Sequence, residues 1–345
     1  MKVPAPTLSQ AARLLVADDK GLLAIDESNA TCNKRFAAQG IPETETARRA
    51  YRELIITTPR LNEAISGVIL YDETIRQRTA DGIPFADFLT GAGIVPGIKV
   101  DVGAKTMAGH PGETITEGLD GLRERLQEYR QLGARFAKWR AVIALDVGMP
   151  SRGCVEANAH ALARYAAMCQ EAGLVPVVEA EVLMEGSHSI ERSRGATAET
   201  LQAVFRQLFE QGVMLEGMIL KPNMVLPGLA STAQVTVDEV AEATLNCLRR
   251  LVPAAVPGIA FLSGGQSAQL ATARLNAINA MSVRPSSRIP WVLTFSFARA
   301  IQQAALDIWK GQAVNVVAAQ NALHRRAMLD RLARRGEYEV AMETA

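Results

Sequence analysis

Short apolar runs alternate with longer amphipathic segments along most of this chain. Short apolar runs bounded by polar or turn residues are typical of buried strands. Eight such runs occur, at positions 21–26, 67–72, 94–100, 136–145, 174–182, 217–221, 259–262 and 291–295. Between them, apolar residues at steps of three and four and a high content of helix formers favour helices. Six helices are predicted, at positions 43–56, 116–132, 155–172, 198–211, 237–251 and 267–281.

This alternation of strands and helices predicts an α/β protein whose parallel strands are joined by helical crossovers. Eight repeats predict a closed (β/α)8 TIM barrel. We expect one domain over residues 1–345, with a helical tail from about residue 311. An open, doubly wound sheet is the alternative. Its dinucleotide-binding version is disfavoured because no G-x-G-x-x-G pattern follows the first predicted strand.

The composition narrows the class of protein further. The 345 residues are 48% apolar and 21% charged, with a net charge of +1, so nothing in the charge favours nucleic acid or an acidic membrane surface. No apolar stretch is long enough to span a membrane, and the first residues contain no apolar signal core, which predicts a cytoplasmic protein. The four cysteines are scattered along the chain, which predicts reduced thiols. The four histidines lack metal-binding spacing, so no metal site is predicted.

Lys221 lies within the apolar run GMILKPNMV at positions 217–225. Burying an ammonium group is costly unless it is paired or loses its proton. A lysine whose pKa is lowered in this way is a good nucleophile toward carbonyl groups. Pro222 follows it and marks the end of the strand. Taken alone, Lys221 is more simply interpreted as an ordinary strand-end lysine whose amine is in solvent.

Other predicted strands also carry charged residues near their carboxyl ends. These residues are Asp26, Lys99, Asp101, Lys138, Arg140, Glu179, Glu181 and Lys221. Residues two apart in a strand share a face, and barrel enzymes collect catalytic groups from the carboxyl ends of several strands. Most of these residues also have a structural interpretation. Asp26 could cap the following helix, and Lys99 and Asp101 could face solvent from a loop. Glu179 and Glu181 could form a structural network of ion pairs with Lys138 and Arg140. A purely structural role for all of them is disfavoured, because each buried charge carries a desolvation cost.

Two later segments resemble anion sites. The sequence LSGGQ at 262–266 follows the seventh predicted strand, and its glycines allow backbone N–H groups to approach a phosphate at the start of a helix. Ser296 and Arg299 follow the eighth strand, and arginine binds phosphate well. Barrels often bind phosphate in these two loops. A second basic cluster near the first strand could hold another phosphate or be a capped helix start; its members are Ser28, Thr31, Lys34 and Arg35, together with Lys99.

Seven segments together resemble the class I (Schiff-base) fructose-bisphosphate aldolases. They are GLLAIDES at 21–28, VPGIKVD at 95–101, KWR at 138–140, VEAE at 178–181, LKPNMV at 220–225, FLSGGQ at 261–266 and LTFS at 293–296. The resemblance extends from about the first strand to Tyr338. It implies reversible cleavage of fructose 1,6-bisphosphate into dihydroxyacetone phosphate and glyceraldehyde 3-phosphate. It also implies a covalent Schiff base without a metal or other cofactor, sugar phosphates as the small-molecule partners, and a homotetramer.

The resemblance also implies roles for individual residues. Lys221 would form the iminium, and Glu179 would transfer protons during dehydration of the carbinolamine, with Glu181 beside it. Asp26 would deprotonate the C4 hydroxyl, and Lys138 would polarise the substrate hydroxyls. The remaining residues would bind phosphate: Ser263, Gly264, Gly265 and Arg299, with Ser296, for the C1 phosphate, and Ser28, Thr31, Lys34, Arg35 and Lys99, with Arg140 nearby, for the C6 phosphate.

Two alternatives to this function remain open at the level of sequence. One is a related Schiff-base aldolase that acts on another sugar phosphate, such as sedoheptulose 1,7-bisphosphate. The other is a non-catalytic binding or scaffold protein on the same fold, although the lysine and the acids are all present. We also expect that no tail ending in tyrosine, as found in animal relatives, reaches the site, because the chain ends soon after Tyr338.

Overall fold

A computed structural model describes residues 6–284 and 287–344 of the chain. Eight parallel strands form a closed barrel. They are β1 Gly21–Ala24, β2 Ile65–Leu70, β3 Val95–Lys99, β6 Phe136–Ile143, β7 Val175–Val182, β8 Ile219–Pro222, β9 Gly258–Phe261 and β10 Val292–Phe297. Around the barrel they follow the order β1-β10-β9-β8-β7-β6-β3-β2. The predicted (β/α)8 barrel and its eight strands are therefore confirmed, with ends that shift by a few residues.

The α-helices surround the barrel or close one end of it. They are α1 Leu8–Leu15, α2 Asn29–Ala37, α3 Glu45–Ile56, α4 Asp72–Ile75, α5 Phe85–Gly91, α6 Leu122–Gln131, α7 Arg152–Glu171, α8 Ile190–Glu210, α9 Val237–Leu251, α10 Ala268–Ser282, α11 Arg299–Trp309 and α12 Val316–Arg335. Gly173 and Gly212 adopt positive φ angles of 71° and 65° just after α7 and α8. Glycine takes this conformation without steric cost, so both helices end where the sequence predicts.

One predicted helix is partly wrong. Residues 116–132 were expected to be helical throughout, but Thr114–Glu117 form strand β5 and the helix begins only at Leu122. Strand β5 pairs antiparallel with β4, Gly103–Thr106, outside the barrel. Gly118, with φ of 128°, separates the hairpin from the helix. The hairpin is held against the barrel because Thr116 Oγ1 donates to the carbonyl of Arg140 at 2.8 Å.

Apolar side chains fill the barrel, and α1 covers its amino-terminal end. Leu15 of α1 packs in one cluster with interior residues such as Leu22 and Phe136. The ring of Phe136 lies so close to Gly97 that a Cβ atom there would be 2.3 Å from the ring. Glycine is therefore required at this position for the phenylalanine to fill the barrel. The closed amino-terminal end leaves the carboxyl end of the strands as the open face.

The segment from residue 311 onward is mostly helical and packs against other helices of the barrel. Helix α12 packs against α10 and α11 and also contacts α3. The chain then returns along α12, where Glu343 accepts hydrogen bonds from Arg326 at 2.7 Å and from the hydroxyl of Tyr338 at 2.8 Å. The assignment of the chain to one domain with a helical tail from about residue 311 stays a prediction.

Candidate active site

Lys221 lies inside the barrel at the carboxyl end of β8 and is 3% exposed. In the register of the sheet it lies directly opposite Glu179 of β7. Its Nζ atom is 3.2 Å from Oε1 of Glu179. The solvent-facing interpretation of Lys221 is therefore wrong, because the amine is buried next to a carboxylate.

Lys138 of β6 lies between two carboxylates. Its Nζ atom is 2.9 Å from Oδ2 of Asp26 and 2.7 Å from Oε2 of Glu179. All three side chains are buried, with residue exposures of 4% for Lys138, 7% for Asp26 and 3% for Glu179. Lys138 and Lys221 thus bind the two oxygens of the same carboxylate. The result is a line of alternating charges across the barrel, from Asp26 to Lys221.

Burial and these partners shift the four pKa values in different directions. Burial lowers the pKa of Lys221; Glu179 opposes this effect, the Lys138 cation adds to it, and the net pKa is below the ordinary lysine value. Burial would also lower the pKa of Lys138, but Asp26 and Glu179 raise it well above that value. Burial would raise the pKa of both acids, but Lys138 holds each of them below its usual range. Lys221 is therefore the amine that loses its proton more readily.

Glu181 lies further along the same strand and forms a separate ion pair. One of its oxygens is 2.5 Å from Nε of Arg140, and the glutamate is 4% exposed. Arg140 lies opposite Glu179 in the register of β6 and β7 and helps to lower the pKa of that acid. Glu181 therefore acts on Glu179 through Arg140, which it holds in place.

A cavity of about 1110 Å³ opens above these residues. All the residues predicted from the sequence line it except Gly265: Asp26, Ser28, Thr31, Lys34, Arg35, Lys99, Lys138, Arg140, Glu179, Glu181, Lys221, Ser263, Gly264, Ser296 and Arg299. The lining of this cavity combines lysine and arginine side chains with carboxylates. The cavity can therefore hold an anionic ligand of several carbons, with a buried amine and a buried acid at its floor.

The loop after β9 has the geometry of an anion site. Gly264 and Gly265 have positive φ angles of 55° and 93°, a region that residues with a Cβ atom rarely adopt. A Cβ atom at Gly265 would be 3.5 Å from Nη2 of Arg299, so the loop and the start of α11 adjoin each other. Ser263 is 8% exposed, and the hydroxyl of Ser296 is buried without a hydrogen-bond partner among the described residues. Backbone N–H groups, hydroxyls and one guanidinium thus converge beside the cavity.

The second basic cluster is only partly free to bind a ligand. Ser28 caps α2, since its Oγ accepts a hydrogen bond from the amide of Thr31 at 3.3 Å. The cap is therefore Ser28 and not Asp26. Lys34 is exposed, and within residues 6–284 and 287–344 it forms no ion pair. Lys99 is paired with Asp101 at 2.7 Å.

Arg35 is engaged by groups that the sequence did not single out. Its guanidinium is 2.6 Å from Oε1 of Glu27 and 3.0 Å from Oε1 of Gln302. Arg52 binds the other oxygen of Glu27 at 2.9 Å. Glu27 lies next to Asp26 in the Asp-Glu-Ser segment, and this position could have identified it as part of the site. Gln302 lies in a helix pattern and gave no signal.

The described part of the chain contains neither a cluster of metal-ligating side chains nor a helix suited to crossing a membrane. No three His, Cys, Asp or Glu side chains there are grouped so that they could hold a metal ion. No helix there is long and apolar enough to cross a membrane.

Comparison with known proteins decides the family. Residues 7–345 match the family model described as fructose-bisphosphate aldolase class-I. The chain belongs to the class I fructose-bisphosphate aldolases. A probable fructose-bisphosphate aldolase class 1 from Xanthomonas axonopodis pv. citri is 54% identical over 333 residues, which cover 96% of this chain and 98% of the relative. The cytosolic fructose-bisphosphate aldolase 6 of Arabidopsis thaliana is 49% identical over 320 residues, 93% of this chain and 88% of that one.

The fold of this chain also matches a solved aldolase structure. The fructose-bisphosphate aldolase of Plasmodium falciparum, crystallised with TRAP and a small-molecule inhibitor, superposes with a TM-score of 0.93. Its sequence is 43% identical, and the match covers 98% of this chain and 99% of that one. The resemblance and the activity predicted from the sequence are confirmed. The protein is an aldehyde-lyase that cleaves fructose 1,6-bisphosphate reversibly by the metal-independent class I reaction.

Proposed function

We propose that Lys221 is the nucleophile of this aldolase and that Glu179 transfers the protons of imine formation. The observation that supports this most directly is the contact of 3.2 Å between the two groups, both of them buried. Glu179 takes a proton from the Lys221 ammonium and passes it to the C2 carbonyl oxygen of the ketose as the free amine adds, which gives the carbinolamine. It next accepts a second proton, from the carbinolamine nitrogen. Glu179 then returns this proton to the departing C2 hydroxyl, which leaves as water and gives the iminium.

Asp26 and Lys138 serve the cleavage step in this proposal. Asp26, kept ionised by Lys138 at 2.9 Å, accepts the proton of the C4 hydroxyl. The C4 oxygen forms a carbonyl, the C3–C4 bond breaks, and its electron pair moves to the iminium nitrogen to give a neutral enamine. Glyceraldehyde 3-phosphate leaves at this point. Protonation of the enamine at C3 and hydrolysis of the resulting iminium release dihydroxyacetone phosphate. Apart from the covalent Schiff base, no cofactor takes part.

The two ends of the cavity are proposed to hold the two phosphates. Ser263, the amides of Gly264 and Gly265, and Arg299, with Ser296 beside them, receive the C1 phosphate. Lys34 is the principal cation for the C6 phosphate, because it forms no ion pair among the described residues. Lys99, which is paired with Asp101, completes that end of the cavity with Ser28, Thr31 and Arg140, and Arg35 is already paired with Glu27.

Trapping with borohydride tests the assignment of the nucleophile. With dihydroxyacetone phosphate, reduction should add the mass of the reduced adduct to the peptide that contains Lys221, and Lys221→Met should abolish the adduct. Lys310→Met, at the far end of α11, is the matched control and should label normally. An adduct on another residue, or loss of labelling after treatment with EDTA, would contradict the proposal.

A seven-carbon bisphosphate is a second candidate substrate. The cavity of about 1110 Å³ and its two groups of cations suit a bisphosphate, and they leave room for sedoheptulose 1,7-bisphosphate. A panel of ketose mono- and bisphosphates, compared by kcat/KM, decides between them. Preference for a monophosphate would count against the C6 site.

Assembly and location are also proposed. The plant relatives named cytosolic support a cytoplasmic protein, and the family resemblance suggests a homotetramer. Sedimentation of the purified protein at micromolar concentration tests the assembly, and a mass close to one chain of 37.1 kDa would refute it.

A further inference from the structure

Gln302 is a buried polar residue that does not line the cavity. It is 0% exposed and lies one turn after Arg299 on α11. Its Nε2 donates to the carbonyl of Ala24 at the end of β1. Its Oε1 accepts hydrogen bonds from Arg35 of α2 at 3.0 Å and from the hydroxyl of Tyr51 of α3 at 3.1 Å. One amide therefore joins four elements of the fold.

Glu27 holds the chain on the other side of Asp26. Its two carboxylate oxygens bind Arg35 at 2.6 Å and Arg52 at 2.9 Å, and its carbonyl also accepts from Arg52 at 3.2 Å. Burial would raise the pKa of Glu27, but Arg52 and Arg35 hold it below its usual range, so the carboxylate stays ionised. The main chain is thus fixed at Ala24 by Gln302 and at Glu27 by two arginines.

We propose that Gln302 is a positioning residue: with the Arg35–Glu27 pair it fixes the backbone on both sides of Asp26 and connects it to the helix that carries Arg299. This inference rests on the proposed roles of Asp26 and Lys221. Arg35 is then part of the support of the site, since a phosphate at its guanidinium would have to displace Glu27.

If Gln302 positions Asp26, its loss affects two steps of the reaction differently. Imine formation depends on Lys221 and Glu179, which lie on β8 and β7 and contact neither Gln302 nor Glu27 among the described residues. Cleavage of the C3–C4 bond depends in addition on Asp26. A merely structural loss of stability would slow both steps together, whereas displacement of Asp26 slows cleavage alone.

The test uses the full-length enzyme and the variant Gln302→Leu. Rapid quenching with borohydride measures the rate of imine formation with dihydroxyacetone phosphate, and single-turnover mixing measures cleavage of fructose 1,6-bisphosphate. Small misplacements of a catalytic group can cost up to about a hundredfold in rate, so cleavage should fall by at least about tenfold while imine formation changes by less than about twofold. Gln320→Leu is the matched control, because Gln320 donates to Leu54 and Thr57 far from the cavity. It should show no such difference between the steps.

Equal slowing of both steps in Gln302→Leu, an unchanged rate of cleavage, or the same separation in Gln320→Leu would overturn the inference. If Gln302→Leu does not fold, Glu27→Gln carries the same expectation, because it weakens the clamp on the other side of Asp26. Absence of an adduct on Lys221 in the unaltered enzyme would instead refute the proposed nucleophile, so the two failures are distinguishable.

Discussion

Replacing Lys138 with methionine tests the alternating charges at the floor of the cavity. The ammonium is 4% exposed and pairs with Asp26 at 2.9 Å and Glu179 at 2.7 Å. Methionine keeps a similar chain length, so the change removes the charge and little of the packing. Removing one partner of a buried ion pair costs about 3–5 kcal/mol, because the remaining charge is left uncompensated. We expect the free energy of unfolding at pH 7 to fall by that amount.

The same substitution should change the pH dependence of cleavage. Burial raises the pKa of Asp26, and Lys138 is the main group that holds it below the ordinary value. Without Lys138 the pKa of Asp26 rises, so the carboxylate becomes protonated over a range where it is now ionised. A positioned base contributes about 10²–10⁴-fold to a rate, so kcat at pH 6 should fall by a factor in this range. Because ionised Asp26 returns as the pH increases, part of this loss should be recovered at higher pH.

Profiles of kcat against pH and urea unfolding at pH 7 measure the two effects. Lys310→Met makes the same chemical change at an exposed position and should alter neither. The reasoning is refuted if the acid limb of the profile stays at the same pH in Lys138→Met. It is also refuted if stability is unchanged, since the ion pairs would then have no energetic consequence.

Three further predictions concern groups around this centre. Arg299→Ala should weaken the binding of phosphorylated ketoses about tenfold to a hundredfold, which corresponds to the roughly 1.5–3 kcal/mol of a charged hydrogen bond. Its melting temperature should not change, because the side chain is exposed. A KM equal to that of the wild type would contradict the phosphate assignment. Lys34→Ala should raise KM for the bisphosphate but not for fructose 1-phosphate. Arg35→Ala should mainly lower the melting temperature, since Arg35 is paired with buried groups. The reverse pattern would contradict both assignments. Burial raises the pKa of Asp330 to about 7, so the folded protein binds a proton that the unfolded chain loses above about pH 4, and wild-type stability falls as pH rises toward 7. The melting temperature of Asp330→Asn relative to wild type should therefore increase from pH 5 to pH 8, and a constant difference would show that Asp330 does not titrate in this range.

The strands and the residues at their carboxyl ends could be predicted because they depend on local pattern. A buried parallel strand reads as an apolar run, so a lysine or glutamate within it stands out, as Lys221 and Glu179 do. The hairpin that begins at Gly103 could not be predicted, because its second strand is held by contacts with Asn158 and with the carbonyl of Arg140. These partners are distant in the sequence, and a polar strand outside the barrel has no apolar pattern.

The supporting residues of the site were missed for the same physical reason. Gln302 is polar in a helix, which usually means a solvent-facing position, and only the tertiary structure places it at 0% exposure. Arg35 was predicted to bind phosphate from its charge and its neighbours. That its charge is already paired with Glu27 depends on how α2 folds back on β1, which the sequence pattern does not contain.

Glu179 and Lys221 lie opposite each other on adjacent strands, so the part of the cavity that they form is rigid, whereas the loops around the rest of it are adjustable. Hydrogen bonds between adjacent strands fix the distance between acid and amine, so a longer or shorter loop at the open face cannot change it. In the proposed binding mode, in contrast, the phosphate groups contact the loop of Gly264 and the first turns of α2 and α11. Insertions there would alter the length of sugar that fits while the imine chemistry stays the same. The barrel thereby allows substrate range and reaction type to change independently.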